Sequence, residues 1–298
     1  MRRGLQVGGA LAALLGLAAC ASGPVEQSDA VPVVATTTMV ADLVRQVGGS
    51  RVRVHGLLAP GGDPHLYRPV PGDAEAVSRA RLVFYNGLHL EPWLPDLARQ
   101  AGPARPLVAV AEALPHRPSQ ADPKVPDPHV WFDVGRWRRT ITAVVGALAR
   151  LDPPGKATYE ANGRLYDAQL VVLDGWVRRR LAAVPAGRRR LVTSHDAFAY
   201  FGEAYGFEVV PLQGVSTEAE ASTQDLARVV GLVRKAGVPM VFVESSVNPR
   251  LVEQVARETG ARLGGPLYSD SGGLLEGSAG SYVGMVRDNV TRLVEGLQ

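Results

Sequence analysis

Three of the six histidines stand in settings where an imidazole could bind a metal ion. His65 lies in GGDPHLYRP, His129 in PDPHVWFD and His195 in VTSHDAFAYF, each at the end of a predicted strand or just after one. An aspartate and a proline precede two of them, with Asp63 before His65 and Asp127 before His129. Proline restricts the backbone ahead of the ring, and a nearby aspartate can accept its second N–H, as in many metal sites. Together the three settings favour a shared metal site.

Turn or capping chemistry is the alternative for each histidine taken alone. The three are separated by 64 and then 66 positions, whereas structural zinc motifs keep their ligands a few residues apart, so the fold must assemble any shared site. A fourth donor is expected, and Asp270 in GGPLYSDSGG has a similar placement, although an aspartate before Ser-Gly-Gly also suits a turn. Among the other histidines, His89 is expected near the edge of the site, and His55 and His116 at the surface.

Short apolar runs alternate with longer helical patterns along the chain. This alternation predicts an α/β fold of parallel sheets and crossover helices, in which ligand-binding residues follow the carboxyl ends of strands. The predicted strands are VPVVATTT, RVRVHGLLA, RLVFYNG, PLVAVAE, RRLVTSH, FEVVPLQG and VPMVFVESS, and the helical patterns cover Met39 to Val47, Arg136 to Leu151, Thr223 to Lys235 and Arg250 to Thr259.

Residues 156–184 form one long amphipathic pattern, preceded by Asp-Pro-Pro-Gly and followed by Pro185. A helix of this length would reach roughly 40 Å, the size of a whole domain, at 1.5 Å per residue. We interpret it as a connecting helix between two lobes. One long helix inside a single domain is the alternative that composition leaves open.

The first 19 residues predict a lipoprotein signal peptide. Arg2 and Arg3 precede an apolar run of about a dozen residues, which is short for a membrane-spanning helix. The run ends in LAAC, which resembles a bacterial lipobox, and Cys20 is the only cysteine of the chain. We expect Cys20 to be acylated, which leaves no disulfide, and residues 20–30 to act as a flexible tether. A free cysteine beside an ordinary signal peptide is the alternative.

The charge balance excludes an extended nucleic-acid surface. The chain has 32 Lys and Arg against 29 Asp and Glu, and loss of Arg2 and Arg3 with the signal peptide leaves 30 against 29. Nucleic-acid binding requires a concentrated basic patch. The two arginine clusters, residues 178–180 and 188–190, flank a predicted helix end and turn, where solvated charge favoured by the helix dipole is the simpler interpretation.

Several stretches in this order resemble the metal-specific solute-binding proteins of ABC importers, the zinc/manganese family known as cluster A-I. The matching stretches, together with the lipobox, span nearly the whole mature chain. They are GGDPHLYRPVPGD, FYNGLHLEPWL, DPHVWFDV, TSHDAFAYFGEAYGF, GVSTEAEAS, VFVESSV and LYSDSGG.

The resemblance implies two α/β lobes, residues 31–155 and 185–298, each with a parallel sheet flanked by helices and joined by the rigid helix of residues 156–184. It also implies a metal ion bound between the lobes by two ligands from each. Carried over by position, these ligands are His65, His129, His195 and Asp270. The family more often has Asp-Ser-Leu-Gly or Asp-Ala-Leu-Gly where this chain has Asp-Ser-Gly-Gly, so the loop after Asp270 departs from the pattern.

Three imidazoles and one carboxylate suit Zn²⁺, whereas Mn²⁺ prefers more oxygen donors. Many manganese-binding members of the family have a glutamate at the position of His195, which also favours zinc. The loop ALPHRPSQADPKVPDP lacks the long histidine-rich insertion of dedicated zinc carriers, and some members with the same ligand set are associated with manganese. Zinc is therefore expected ahead of manganese.

The function expected from the resemblance is that of a monomeric, lipid-anchored carrier on the outer face of the bacterial cytoplasmic membrane, with no enzymatic activity. It would deliver Zn²⁺ or Mn²⁺ to an ABC permease, with an affinity that falls below about pH 6 because bound imidazoles must be neutral. One alternative is a lipid-anchored zinc hydrolase with Glu244 as its base, although no HExxH or GxSxG motif occurs. A metal-binding surface adhesin is the other.

Overall fold

The computed structural model describes residues 30–103, 105–119, 123–219 and 221–298. The predicted signal peptide, Cys20 and all but the last residue of the predicted tether lie outside these residues. The first four strands form one parallel sheet of order β2-β1-β3-β4. Its strands are β1 (Val31–Ala35), β2 (Val52–Gly56), β3 (Leu82–Tyr85) and β4 (Leu107–Ala109).

Helices cover both faces of this first sheet because its strands are apolar on both sides. Val33 and Ala35 of β1 join the core cluster that includes α1 and α5, whereas Val34 packs on the opposite face with residues of α2 and α3. The helices are α1 (Thr38–Gly48), α2 (Pro71–Arg79), α3 (Leu94–Gln100), the single turn α4 (Val134–Trp137) and α5 (Ile141–Leu151). The helix predicted from Arg136 to Leu151 is thus divided, because a 3₁₀ turn at Arg138–Thr140 separates α4 from α5.

The second half of the chain forms another parallel arrangement. Strand β5 pairs with β6 and β7 pairs with β8, both in parallel, and β5 lies beside β7. The strands are β5 (Arg190–Thr193), β6 (Glu208–Pro211), β7 (Met240–Glu244) and β8 (Arg262–Leu267), and the helices are α7 (Ala199–Tyr205), α8 (Thr223–Ala236), α9 (Arg250–Thr259) and α10 (Tyr282–Leu297). The predicted α/β class with parallel sheets is confirmed. We call the elements before α6 the N-terminal lobe and those after it the C-terminal lobe.

The long helix α6 (Lys156–Leu181) connects the lobes and has 26 residues, about 39 Å of helix. It ends three residues before the end predicted for it. Its inner face contacts α1, α4 and α5 of the N-terminal lobe and α10 of the C-terminal lobe. A Cβ at Gly163 would lie 2.8 Å from Cγ2 of Val145, so the glycine allows α5 and α6 to approach closely. One continuous apolar core therefore runs from β1 through α6 to α10.

The carboxylate of Asp42 on α1 links three elements in this shared core. Its Oδ2 accepts the backbone N–H of Tyr282 on α10 at 3.1 Å and the hydroxyl of Tyr166 on α6 at 3.3 Å. Burial raises the pKa of Asp42. Polar as well as apolar contacts thus join the two lobes. None of the described helices has both the length and the hydropathy of a membrane span.

We expect Leu170→Ala to lower the free energy of unfolding by about 2–5 kcal/mol, because it opens a cavity in the shared core. Leu170 is fully buried on α6, whereas Leu165 on the same helix is 71% exposed. Leu165→Ala is the matched control, since it removes the same atoms and changes helix propensity equally; its effect should stay within about 0.5 kcal/mol. Chemical denaturation of the metal-free protein measures both, and equal effects would contradict the packing role of α6.

Candidate metal centre

Four buried side chains from four separate loops converge between the lobes. They are the predicted residues His65, His129, His195 and Asp270, and one donor atom from each can be chosen so that all lie within 4.8 Å of one another. His65 is 5% exposed and the other three are fully buried. The remaining histidines, His55, His89 and His116, are exposed and lie outside this group.

Four separations between donor atoms, counted with either oxygen of Asp270, are close to the edge length of a coordination tetrahedron. Nε2 of His129 lies 3.4 Å from Nε2 of both His65 and His195, and 3.4 Å from Oδ1 of Asp270. Nε2 of His195 lies 3.3 Å from Oδ2 of Asp270. Zinc–ligand bonds of 2.0–2.1 Å in a regular tetrahedron give edges of about 3.3–3.4 Å. The four side chains can therefore surround one small cation with little rearrangement.

Two of the rings are oriented by carboxylates behind them. Oδ1 of Asp127 accepts from the backbone N–H of His129 at 3.0 Å and lies 2.8 Å from its Nδ1. Glu244 acts in the same way on His195, with Oε1 at 3.0 Å from the backbone N and Oε2 at 2.6 Å from Nδ1. A proton placed on Nδ1 by these bonds leaves the Nε2 lone pair of the neutral ring directed at the cluster. The predicted role of Asp127 agrees with this geometry, and Glu244, considered above only as a catalytic base, orients His195 in the same way.

The same prediction is wrong for His65. Oδ1 of Asp63 accepts from the backbone N–H of His65 at 2.8 Å, and Oδ2 accepts from the hydroxyl of Thr217 at 2.6 Å. Within the described residues, no hydrogen bond joins Asp63 to the His65 ring. Asp63 therefore fixes the loop that carries the ring, because the Asp-Pro-His turn brings its carboxylate to the backbone.

The loops that carry the four residues differ in their distance from a strand. His195 follows β5 by two residues and Asp270 follows β8 by three, whereas His65 lies nine residues beyond β2. The expectation that a strand also precedes His129 directly is wrong: the strand before it in the described chain, β4, ends at Ala109, and His129 leads into a 3₁₀ turn at Val130–Phe132. The apolar stretch VWF is buried through this turn and not through a strand.

Burial and charge shift the pKa values of the four groups in opposite directions. Burial lowers the pKa of His65 to about 3. Burial alone would also lower the pKa of His129, but hydrogen bonds and charge from Asp127 and Asp270 raise it to about 9. The pKa of His195 is raised well above its ordinary value, against the effect of burial, by Asp270 and Glu244. These two imidazoles in turn hold the pKa of Asp270 well below its ordinary value although the carboxyl is buried.

Hydrogen bonds between the lobes surround the cluster. The indole N–H of Trp131 donates to the carbonyl of Ser269 at 3.0 Å, one residue before Asp270. The backbone N–H of Gly61 donates to Oγ of Ser271 at 2.8 Å. Together with the bond from Thr217 to Asp63, these bonds fix the ligand loops of the N-terminal lobe relative to those of the C-terminal lobe.

Sequence patterns missed the residues that hold the ligand loops from outside. Asn86 and Trp93 donate side-chain hydrogen bonds to the carbonyls of Pro128 and Pro64, the residues just before His129 and His65. In this stretch only His89 was singled out, and its side chain is exposed. The sequence signal that could have revealed Asn86 is a polar residue placed directly between a predicted strand, RLVFY, and a glycine. Trp93 has no comparable signal.

Comparison with known proteins places these features in a family. Residues 33–296 match the family ZnuA, described as "Zinc-uptake complex component A periplasmic". The zinc-binding protein TroA of Treponema pallidum is 41% identical over 278 residues, which cover 91% of this chain and 90% of TroA. The manganese-binding lipoprotein MntA of Bacillus subtilis is 36% identical over 307 residues, covering 100% of both chains. A solved structure of the periplasmic zinc-binding protein TroA superposes with a TM-score of 0.85 at 40% identity, covering 90% of this chain and 99% of the other.

Proposed function

Because the chain belongs to the family of periplasmic zinc-uptake components A, we propose that it is the solute-binding protein of an ABC importer. It captures a divalent transition metal outside the cytoplasmic membrane and delivers it to the permease. The names of the relatives, one zinc-binding and one manganese-binding, support a cargo of this class. His65, His129, His195 and Asp270 are the proposed ligands.

The observation that carries this proposal is the convergence of four buried donors within 4.8 Å of one another. Oδ1 of Asp270 is fully buried, and the group near it is the imidazole of His129, whose Nε2 lies 3.4 Å away. A buried carboxylate is costly unless it is paired, and a cation bound between these groups would pair with it. The donor set of three imidazoles and one carboxylate favours Zn²⁺ over Mn²⁺, which prefers oxygen donors. We therefore propose zinc as the preferred cargo and manganese as the weaker one.

A cleft of about 510 Å³ at the junction of the lobes supports a route for the ion. Asp63, Leu66, Thr217 and Ser246 contribute to its lining. Asp63 lies two residues before His65, the only one of the four ligands with measurable exposure. On the other side, the hydroxyl of Ser246 donates to Oδ2 of Asp270 at 3.2 Å. In this proposal the ion enters and leaves the site past His65 and Asp270.

The coordination supports a carrier and not a hydrolase. A catalytic zinc site keeps three protein ligands and an open position for water, whereas here a fourth protein donor faces the same centre. Glu244, the residue considered as a catalytic base, has both carboxylate oxygens bound to His195. A side chain held in this way orients the ring and does not activate water. We propose that the protein has no hydrolytic activity.

We also propose that Cys20 is acylated and that the protein works as a monomer on the outer face of the cytoplasmic membrane. Residues 1–19 are the proposed signal peptide and 20–30 the tether, followed by lobes at 31–155 and 185–298. The lipoprotein relative from Bacillus subtilis, which aligns over the whole chain, supports this assignment. Labelling with a fatty acid in a bacterial host tests it, since Cys20→Ala should abolish incorporation.

Metal titration of the chelator-treated protein tests the function itself. We expect one equivalent of Zn²⁺ to bind, to raise the melting temperature and to displace Mn²⁺ in competition, in keeping with the donor set. A free concentration of 1,000 times Kd would stabilise the fold by about 4 kcal/mol. Elemental analysis of protein purified without added metal identifies the ion it acquires. Absence of binding, or metal-dependent turnover of esters or peptides, would contradict the proposal.

A further inference from the structure

The segment between β3 and α3, Asn86 to Trp93 with sequence NGLHLEPW, has an uncommon backbone. We call it the brace segment. Gly87, Leu88 and His89 have φ angles of 89°, 55° and 63°, so three consecutive residues are left-handed. Only glycine adopts this region readily, and other residues cost about 1–2 kcal/mol each there. Such a conformation persists only where the surroundings fix it, and it occurs most often at functional sites.

Two carboxylates, the buried Glu91 and the exposed Glu112, hold the brace segment in this shape. Glu91 accepts from the backbone N–H of Asn86 at 2.8 Å and of Gly87 at 3.2 Å, and from the hydroxyl of Thr36 at 2.7 Å. The next backbone N–H, that of Leu88, donates to Glu112 at 3.0 Å. The backbone N–H groups of three successive residues therefore donate to carboxylates, and these bonds make the turn rigid.

The two ends of the brace segment reach the two ligand loops of the N-terminal lobe. At one end, Nδ2 of Asn86 donates to the carbonyl of Pro128 at 3.0 Å. At the other, the indole Nε1 of Trp93 donates to the carbonyl of Pro64 at 2.8 Å. Each proline directly precedes a proposed ligand in the chain. One rigid segment thus fixes both Asp-Pro-His turns relative to each other.

The hydrogen bonds of Asn86 indicate a positioning role. Its Nδ2 faces two carbonyl oxygens, those of Pro128 and of Gly87 at 3.1 Å, which settles the orientation of the amide. Its Oδ1 is buried without a partner in the described residues, at a cost of about 1–3 kcal/mol. An apolar side chain would avoid that cost but would leave the carbonyls of Pro128 and Gly87 without these donors. The bond to the His129 loop is therefore the specific contribution of the asparagine.

We propose that Asn86 and Trp93 are positioning residues that set the separation of the His65 and His129 rings and thereby the preference for a small tetrahedral cation. The inference rests on the proposed function. The Nε2 atoms of these rings lie 3.4 Å apart, which matches zinc. Mn²⁺ prefers more donors in an octahedral arrangement, so a looser pair of rings penalises zinc more than manganese.

The test uses Asn86→Ala and Trp93→Phe in the full-length protein. Zn²⁺ and Mn²⁺ affinities are measured by chelator competition, and the visible absorption of bound Co²⁺ reports the coordination geometry. Each variant should lose about 10-fold to 100-fold in zinc affinity, the usual effect of removing an outer-shell partner. The loss for manganese should be smaller, and the Co²⁺ bands should weaken or shift as the tetrahedron relaxes.

Asn162→Ala is the matched control, because Nδ2 of Asn162 on α6 also donates to a backbone carbonyl, that of Val47, at 3.0 Å. It should change the melting temperature of the metal-free protein without changing the zinc-to-manganese affinity ratio or the Co²⁺ spectrum. If Asn86→Ala does not fold, Trp93→Phe carries the test, since its ring can still pack on Tyr67, 4.9 Å away in the native pair.

The outcomes separate the two proposals. A wild-type protein that binds none of the three ions refutes the proposed function. Wild-type binding with unchanged affinities and spectra in the folded variants refutes the positioning role alone. A control variant that shifts the affinity ratio as much as the test variants do also overturns it, because general destabilisation would then explain the effect.

Discussion

His129→Ala will lower the affinity for Zn²⁺ by about 10²–10³-fold. Structural zinc sites of four ligands bind with about 10–16 kcal/mol, so one ligand accounts for about 2.5–4 kcal/mol. His129 has the largest expected effect because its Nε2 lies 3.4 Å from the donor atoms of His65, His195 and Asp270 alike. Isothermal calorimetry or chelator competition measures the change.

His116→Ala is the control for this substitution, since His116 is an exposed histidine of the same lobe outside the cluster. Its affinity should equal that of the wild type. Circular dichroism of metal-free His129→Ala should show an intact α/β fold, because the apolar core is unchanged. A folded His129→Ala protein with wild-type affinity would refute the assignment of this residue as a ligand.

Binding of one Zn²⁺ at pH 7 will release about two protons. A metal ion binds only the neutral imidazole, so any proton on Nε2 must leave first. The raised pKa values of His129, to about 9, and of His195 mean that the empty site holds these protons at pH 7. His65, whose pKa is lowered to about 3, contributes none. Calorimetry in buffers of different ionisation enthalpy counts the protons.

Affinity should therefore still rise with pH at pH 7 and continue to do so up to about 9, the pKa of His129. From the sequence, affinity was expected to fall below about pH 6. The carboxylates beside His129 and His195 raise the pKa values of these rings, so the fall begins at a higher pH. Asp127→Asn is the informative variant, because a single oxygen, Oδ1, faces both nitrogens of His129 and an amide oxygen can replace it. It should reduce the count to about one proton. A wild-type count near zero at pH 7 would contradict the protonated empty site.

The sequence predicted the α/β alternation well because apolar periodicity is a local property. Val33 and Val34 face opposite sides of the first sheet, as expected for strands covered on both faces. Local patterns also favoured a shared site for His65, His129 and His195, whereas Asp270 was assigned as the fourth ligand by the resemblance to the family. The prediction failed at His129, which was expected at the end of a strand or just after one but leads into a 3₁₀ turn.

The supporting contacts could not be predicted, because they join residues far apart in the chain. Asn86 reaches Pro128 across 42 positions and Trp93 reaches Pro64 across 29. No pattern of neighbouring residues specifies such a pairing. The role of Asp63 was mistaken for a related reason: its distance along the chain from His65 is the same as that of Asp127 from His129, but only the tertiary fold decides whether a ring or a backbone N–H meets the carboxylate.

The parallel arrangement of the strands has a consequence for the orientation of the protein on the proposed lipid anchor. The described chain enters the first sheet at Val31, at the amino end of β1, whereas His65, His195 and Asp270 lie beyond the carboxyl ends of strands and His129 meets them there. The lipid proposed on Cys20 would therefore attach the protein to the membrane at the end opposite the proposed metal site. The ten residues from Ala21 to Ala30 span at most about 36 Å. To deliver the ion to a permease in the membrane, the folded domain would have to turn over on its tether. Shortening the tether should therefore slow delivery of the ion without altering its capture.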